Sequence, residues 1–345
     1  MTEGRIERVR ALIEAPFLVT KPVNVRYLTG LESSNAAVLV EPERVRLFTD
    51  FRYREKARAT ALEVVEVPRN LYGGIPEHVR GRVEFEADVM TYGQWAALDG
   101  AGLELVPRYE LVDGVRAIKD DEELEAISRA AAITNECFER LAEEPFVGRT
   151  ERELAWWFST LMHDLGADDA AFPVIVAAGA NGAQPHASTG AQVIGRGTTV
   201  VVDAAAKLGG YCSDCTRTFA TGELPDELAR SYEVCLRAQQ AALAAAVAGS
   251  SGRAVDAVAR DAIASEGLGE LFGHGLGHGV GMEVHELPRL RPESEDVLAV
   301  GNVCTIEPGI YHPGLGGIRI EDLVVVHEDG PEALTTFTKE LVTVR

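Results

Sequence analysis

Long apolar runs are absent from this sequence of 345 residues. The longest, at 241–249, is alanine-rich and well short of the roughly 20 residues that a membrane-spanning helix requires. The N-terminal stretch 1–16 also lacks the apolar core of a signal peptide. We therefore expect a cytoplasmic location and no membrane association.

Basic residues and cysteines are also scarce. The chain has 33 Lys and Arg against 54 Asp and Glu, a net charge of −21 that disfavours non-specific binding of nucleic acid. Its five cysteines are an odd number in a long chain, which indicates reduced thiols rather than a disulfide framework. Cys212 and Cys215 form a CxxC, but no second CxxC exists, so we interpret them as small packing residues.

The chain is long enough for about two domains. Its first part alternates short strands and helices, which is typical of a small α/β domain. The predicted strands are 17–19, 36–40, 45–49, 63–67 and 83–85, with a helix from about Arg52. A boundary near 113–121 divides the chain into predicted domains 1–115 and 116–345. The predicted helices of the second domain are 121–143, 150–165, 226–248 and 252–266.

Five potential metal ligands occur in order over the last 150 or so residues. They are Asp203, Asp214, His278, Glu307 and Glu321. Each carboxylate lies in or beside a predicted β-hairpin, one turning at Gly209-Gly210 and the other at 313–317. Acids within apolar strands are costly to bury unless they are paired or bind metal. Four carboxylates balance the charge of two divalent ions.

The second domain shows an internal duplication of architecture. Each half runs from two helices to a strand pair that carries two acids, although the halves share no evident sequence identity. Two such halves around a pseudo-twofold axis would bring both hairpins to one central site.

These segments resemble the pita-bread metallopeptidases, and within them the proline-specific branch of prolidases and aminopeptidases P. The resemblance rests on VVVDAAAKLGGYCSDCTRTF at 200–219, HGLGHGVGMEVHELPRL at 274–290, TIEPGIYHPGLGGIRIED at 305–322 and PHAS at 185–188. It implies an N-terminal creatinase/prolidase-type α/β domain followed by a pita-bread catalytic domain with pseudo-twofold halves. It also implies a homodimer.

The resemblance further implies two divalent metal ions per chain, with Mn²⁺ expected and Co²⁺ or Zn²⁺ as alternatives. Asp203 would chelate one ion, Asp214 and Glu321 would bridge both, and His278 with Glu307 would complete the other. Glu307 would also shuttle a proton. Asp322, adjacent to Glu321, should point to the opposite face of its strand and not bind metal.

Other implied site residues surround these ligands. His285 would donate a hydrogen bond to the reacting carbonyl oxygen, and His186 would contact substrate and help stabilise the intermediate. His274 would line the substrate pocket. Arg289 resembles the arginine with which prolidases bind the substrate carboxylate. Arg319, two residues before Glu321, should face the same side of the strand as that ligand, so we expect it to orient carboxylates and to be a substrate-binding residue. Candidate residues for an apolar proline slot are Phe172, Ile194 and Tyr211.

The resulting hypothesis is a dinuclear exopeptidase that hydrolyses Xaa-Pro bonds, with proline-containing dipeptides or short peptides as substrates. Xaa-Pro dipeptidase is favoured, since a fixed Arg289 would grip a carboxylate directly after proline. The alternatives are an aminopeptidase P that acts on longer peptides and a non-catalytic pita-bread binding protein.

Overall fold

The computed structural model describes residues 2–345, which form two compact units that meet in sequence between Arg116 and Ala117. Within residues 2–345, no helix combines the length and the apolar character that crossing a membrane would demand. All five cysteines are buried, and none of them forms a disulfide.

The first unit is built on one six-stranded mixed sheet with strand order β4-β3-β2-β1-β5-β6. Parallel pairs β3/β4, β1/β5 and β5/β6 flank a central antiparallel meander of β1, β2 and β3. Its elements are α1 (Thr2–Arg10), β1 (Phe17–Val19), α2 (Pro22–Thr29), β2 (Ala36–Val40), β3 (Val45–Thr49), α3 (Arg54–Arg58), β4 (Glu63–Glu66), α4 (Leu71–Gly74), β5 (Arg82–Glu86), α5 (Tyr92–Asp99), β6 (Glu104–Arg108) and α6 (Leu111–Ala117). Every predicted strand is present.

The second unit begins with two long helices, each opened by a capping box that satisfies its free backbone amides. The caps are Asp120 with Glu123 and Thr150 with Glu153. The elements of this first half are α7 (Asp121–Leu141), α8 (Glu151–Asp164), β7 (Asp169–Ala170), β8 (Ile175–Ala178), β9 (Thr199–Ala204), β10 (Ala206–Leu208), β11 (Tyr211–Cys212) and β12 (Cys215–Ala220).

The second half repeats this plan. Its elements are α9 (Asp226–Ala245), α10 (Gly252–Ser265), β13 (Gly277–Gly279), β14 (Glu286–Leu290), β15 (Val303–Ile306), β16 (Gly309–His312), β17 (Gly316–Arg319), β18 (Asp322–His327), β19 (Gly330–Ala333) and β20 (Val342–Thr343). All four predicted helices of the unit are confirmed, with ends within three residues of the prediction.

The two halves of this unit resemble each other in their order of elements and in their backbone pairing. Sheet β20-β12-β9-β8 serves the first half, and sheet β14-β13-β15-β18-β19 serves the second. Isolated bridges tie each second helix to a later segment at equivalent points, Thr150 to Val193 in one half and Ser251 to Val297 in the other. The internal duplication inferred from the sequence is therefore visible in the backbone pairing.

Candidate metal centre

The four acidic candidate ligands lie within paired strands or at their ends. Asp203 is in β9, and its cross-strand partner is Thr216 of β12. Asp214 lies in the short break between β11 and β12, and Glu321 lies in the break between β17 and β18. Glu307 follows β15 directly. Each carboxylate is therefore in or beside a hairpin, as the sequence predicted.

Three of the five candidate ligands converge on one point. One ligand atom each from Asp214, His278 and Glu321 lies within 4.8 Å of the other two. Asp214 and Glu321 are almost fully buried. The Thr216 hydroxyl donates a 2.7 Å hydrogen bond to Oε2 of Glu321, which fixes one oxygen of that carboxylate.

His278 joins this group to Glu307. Its Nε2 lies 3.2 Å from Oε1 of Glu307 and 3.8 Å from Oδ2 of Asp214. Its Nδ1 lies 3.1 Å from the carbonyl of Gly279, an arrangement that leaves Nε2 directed at the acids. Burial opposes ionisation of Glu307, but the hydrogen bond and charge of His278, together with His274 and Arg319, lower its pKa to about 2.

Arg319 holds the fifth candidate ligand, Asp203. Its Nη2 donates a 2.6 Å hydrogen bond to Oδ2 of Asp203, and its other nitrogens donate to Thr216 Oγ1, Tyr311 Oη and the carbonyl of Pro185. The second oxygen of Asp203, Oδ1, is buried and has no hydrogen-bond partner. A buried carboxylate oxygen without a donor is costly, and a cation would satisfy it.

The pKa shifts of the buried acids also favour a bound cation. Burial raises the pKa of Asp214 well above its usual range, and the carboxylates of Glu321 and Asp203 raise it further. Burial, followed by Glu307 and Asp203, does the same to the pKa of Glu321. Acids this close resist simultaneous ionisation without added positive charge. Carboxylate oxygens with one imidazole nitrogen therefore fit hard or borderline divalent ions.

Three further histidines surround the cluster. The rings of His285 and His278 lie 4.3 Å apart, and His285 is the exposed member of the pair. Partial burial, and then the nearby His278, lower the pKa of His285. His186, on an exposed loop, is close enough to contribute to the lowered pKa of both His285 and His274.

His274 is half-buried and lies beside the cluster. Its Nε2 lies 3.0 Å from Tyr311 Oη, and its ring packs against Phe272. Burial lowers its pKa, which favours the neutral imidazole. Tyr311 thereby links His274 to Arg319.

Arg289 lies on the strand beside the cluster. In the antiparallel pair β13/β14 it is directly opposite His278, which puts the two side chains on the same face of the sheet. Its backbone is fixed, since Arg289 N donates 2.7 Å to Oδ2 of Asp296.

One sequence interpretation is wrong. Ile194 belongs to the hydrophobic core and is 1% exposed, so it cannot line a proline slot.

The expectation that Asp322 turns away from the metal ligands agrees with its contacts, which are with Arg217, Lys339 and Gln239.

Sequence reasoning also missed several residues that hold the cluster in place. They are Thr216, Thr305 and Tyr311. Thr305 Oγ1 donates to Oε1 of Glu307 at 3.0 Å, as Thr216 does to Glu321. The available signal was their spacing, because each threonine lies two residues from a candidate ligand in or beside a strand and so shares its face.

Comparison with known proteins identifies both parts of the chain. The family model described as "Metallopeptidase family M24" matches residues 125–328, and the one described as "Creatinase/Prolidase N-terminal domain" matches 5–118. A curated Xaa-Pro dipeptidase of Pyrococcus furiosus is 35% identical over 354 aligned residues, covering 99% of this chain and 97% of that protein.

Solved structures agree along the whole length. An Xaa-Pro dipeptidase from Bacillus anthracis superposes with a TM-score of 0.95 at 36% identity, covering 100% of both chains. An X-Pro aminopeptidase from Thermotoga maritima has a TM-score of 0.89 at 34% identity, covering 98% of this chain and 100% of the other.

The fold class inferred from the sequence is confirmed by these matches, both for the N-terminal creatinase/prolidase-type domain and for the pita-bread domain. More than half of the chain matches one metallopeptidase model, and the acids and histidine that would bind metal converge within that match. The chain is a member of metallopeptidase family M24.

Proposed function

We propose that this enzyme is a metal-dependent Xaa-Pro dipeptidase with a dinuclear centre, built by a catalytic domain at 116–345 that follows an N-terminal domain at 1–115. The observation that carries the proposal is the buried cluster of Asp214, His278 and Glu321, with Glu307 against His278 and an oxygen of Asp203 lacking a donor. The P. furiosus and B. anthracis relatives, both named Xaa-Pro dipeptidases, support the substrate class.

Divalent ions held by these five side chains would polarise the scissile carbonyl and lower the pKa of water. Glu307 lies beside His278 at the cluster, and it would carry a proton from the attacking water to the leaving proline nitrogen. His285 is exposed beside His278 and would donate a hydrogen bond to the developing oxyanion. His186 would approach the substrate from its loop, with His274 lining the pocket behind it.

Arg319 would act mainly on the enzyme's own carboxylates. It donates a hydrogen bond to Oδ2 of Asp203, and Oδ1 would bind a cation. Its contact with Pro185 also connects Asp203 to the segment that bears His186.

Arg289 would set the preference for dipeptides. It shares a sheet face with His278, so its guanidinium would lie beside the proposed metals. A dipeptide presents a free carboxylate directly after proline, which a guanidinium binds in bidentate fashion. A longer peptide presents a neutral amide at that point and loses this interaction.

The decisive experiment compares Ala-Pro with Ala-Pro-Ala in the wild type and in Arg289→Ala. We expect hydrolysis of the dipeptide to dominate in the wild type and to fall selectively in the variant. Arg291→Ala, which removes an exposed arginine two residues later, is the matched control. A tripeptide cleaved as well as the dipeptide, with no selective loss in Arg289→Ala, would instead identify an aminopeptidase P.

The metal, assembly and location are part of the same proposal. We propose Mn²⁺ as the native ion, a homodimer as the working assembly and the cytoplasm as the location. Reconstitution of metal-free protein with Mn²⁺, Co²⁺ or Zn²⁺, followed by kinetics, tests the first. Native mass spectrometry tests the second, and cell fractionation the third.

A further inference from the structure

The loop that carries His186 is anchored by a carboxylate outside the candidate metal centre. Glu151 is the first residue of α8 and its side chain is fully buried. Its Oε1 accepts hydrogen bonds from Ala178 N at 2.9 Å and Asn181 Nδ2 at 3.0 Å. Its Oε2 accepts from Gly190 N and Asn181 Nδ2, both at 2.9 Å. All these donors belong to the segment 178–190.

These bonds join the two ends of the loop. Ala178 precedes the loop, Gly190 follows His186, and both donate to the one carboxylate. Asn181 closes the loop further by donating to the carbonyl of Ser188 at 3.1 Å. The first-turn amides of α8 add two backbone bonds, from Glu151 N to the carbonyl of Gln192 and from Arg152 N to that of Gly190.

The far side of the same loop touches the candidate metal centre. The carbonyl of Pro185 accepts a 3.1 Å hydrogen bond from Arg319, which also binds Asp203. His186, the next residue, is exposed. Glu151 and Arg319 are therefore two of the attachments that fix its position, and Thr189 adds a third by accepting a 2.8 Å hydrogen bond from Val176 N.

Helix capping does not account for Glu151. Thr150 and Glu153 already form the capping box of α8, and the carboxylate of Glu151 bonds only to the loop. In the matched second half, where Ser251 pairs with Val297 as Thr150 pairs with Val193, the first residue of the helix is Gly252. The architecture of a half thus needs no carboxylate there, and only the half that carries His186 has one.

We propose that Glu151, acting with Asn181, is a positioning residue that holds the 178–190 loop so that His186 faces the substrate. The inference rests on the proposed function for the role of His186. Glu151 itself touches no reacting group. In Glu151→Gln one carboxylate oxygen becomes an NH₂ that faces donors, so the substitution removes one of the two acceptors of the anchor while conserving shape.

The test is Glu151→Gln, measured by hydrogen exchange and by kinetics on Ala-Pro with the metal-loaded enzyme. We expect backbone amides of 179–190 to exchange at least tenfold faster, while α7, α9 and α10 keep their protection and the metal content stays unchanged. kcat/KM should fall by about 10–100-fold, since displacement by about 1 Å can cost that much. Glu153→Gln, which alters only the exposed capping box of α8, should leave the loop and the activity as they are.

A double-mutant cycle with His186→Ala distinguishes an effect on the position of His186 from a general loss of structure. If Glu151 acts through His186, adding Glu151→Gln to His186→Ala lowers kcat/KM little further. Fully additive losses, or unchanged exchange in 179–190, would overturn the proposal. Should Glu151→Gln fail to fold, Asn181→Ala is judged by the same criteria. Full activity in His186→Ala would refute the proposed role of His186, while the exchange result would still decide whether Glu151 holds the loop.

Discussion

Replacing Arg217 by Met should be among the most destabilising single changes in the catalytic unit. The Arg217 side chain is 2% exposed. It donates to Asp322 Oδ1 at 2.9 Å, to the carbonyls of Phe337 and Thr338 at 2.7 and 3.0 Å, and to the carbonyl of Glu321. Methionine fills similar volume but supplies no donor.

The size of the destabilisation follows from the buried groups that lose their hydrogen-bond donor in the variant. Removing one partner of a buried ion pair typically costs about 3–5 kcal/mol. Asp322 keeps Lys339 and Gln239 as partners, at 2.5 and 3.0 Å, which favours the lower end of the range. For a unit of this size, about 3–5 kcal/mol corresponds to a decrease in melting temperature of about 6–20 °C.

Calorimetry of the metal-free protein measures this effect without a contribution from bound ions. Arg230→Met is the matched control, because Arg230 forms an exposed ion pair with Glu266 on the same unit and its loss should cost at most roughly 0.5 kcal/mol. Arg217→Lys retains the charge but not the planar set of donors, so its stability should be intermediate. A melting temperature for Arg217→Met that matches the control would refute this reasoning.

Three further predictions concern the metal centre and the first unit. Asp214→Ala should lose both metal ions and nearly all activity, by elemental analysis and turnover, and two tightly held ions in that variant would contradict the bridging role. His285→Ala should retain the metals and lower kcat by roughly 10²–10³-fold, the range for one lost transition-state donor, whereas loss of an ion would mean that His278 and His285 had been interchanged. The hydrogen bond from Arg52 lowers the pKa of Asp50 in the folded state. The ionised carboxylate therefore stabilises the fold at pH values above the unfolded pKa of about 3.9. This contribution is lost as the pH falls towards the lower pKa of the folded state. Asp50→Asn should therefore melt below wild type at pH 7, with the gap narrowing below about pH 4; a gap independent of pH would exclude this explanation.

The strands and helices that local patterns describe well were predictable. The β9 and β12 segments are rich in β-branched residues, and Gly209-Gly210, which joins β10 to β11, is a clear turn signal. All four helices of the second unit were located from periodicity and caps. The family was recognised from four motif segments and from the order of the five candidate ligands within them.

Strand β13 was not predictable from its composition, because it is rich in glycine. The reason for those glycines is tertiary: a Cβ at Gly277 would lie 2.0 Å from the carbonyl oxygen of Thr305, and one at Gly279 would lie 2.0 Å from that of Leu287. Glycine normally argues against a strand. Here it is required by the close approach of neighbouring backbones, which only the folded structure reveals.

The contacts that hold the ligands were also beyond local reasoning. The pairing of Arg319 with Asp203 spans 116 residues, and that of Thr216 with Glu321 spans 105. No sequence window contains both partners. The candidate ligands could be inferred from the family resemblance and Arg319 from its place two residues before Glu321, but which carboxylate each supporting side chain contacts could not.

These long spans have a consequence for folding. Closing a flexible loop of about 105 residues costs roughly 4 kcal/mol in chain entropy, so the acid cluster should form late, after the helices and hairpins of both halves. An unfolded chain presents the same acids singly, far apart and hydrated. Ions would therefore bind the native state preferentially, adding about 2.7 kcal/mol per site at a hundredfold excess over Kd. The thermal stability of the enzyme should therefore depend on the concentration of free metal ions.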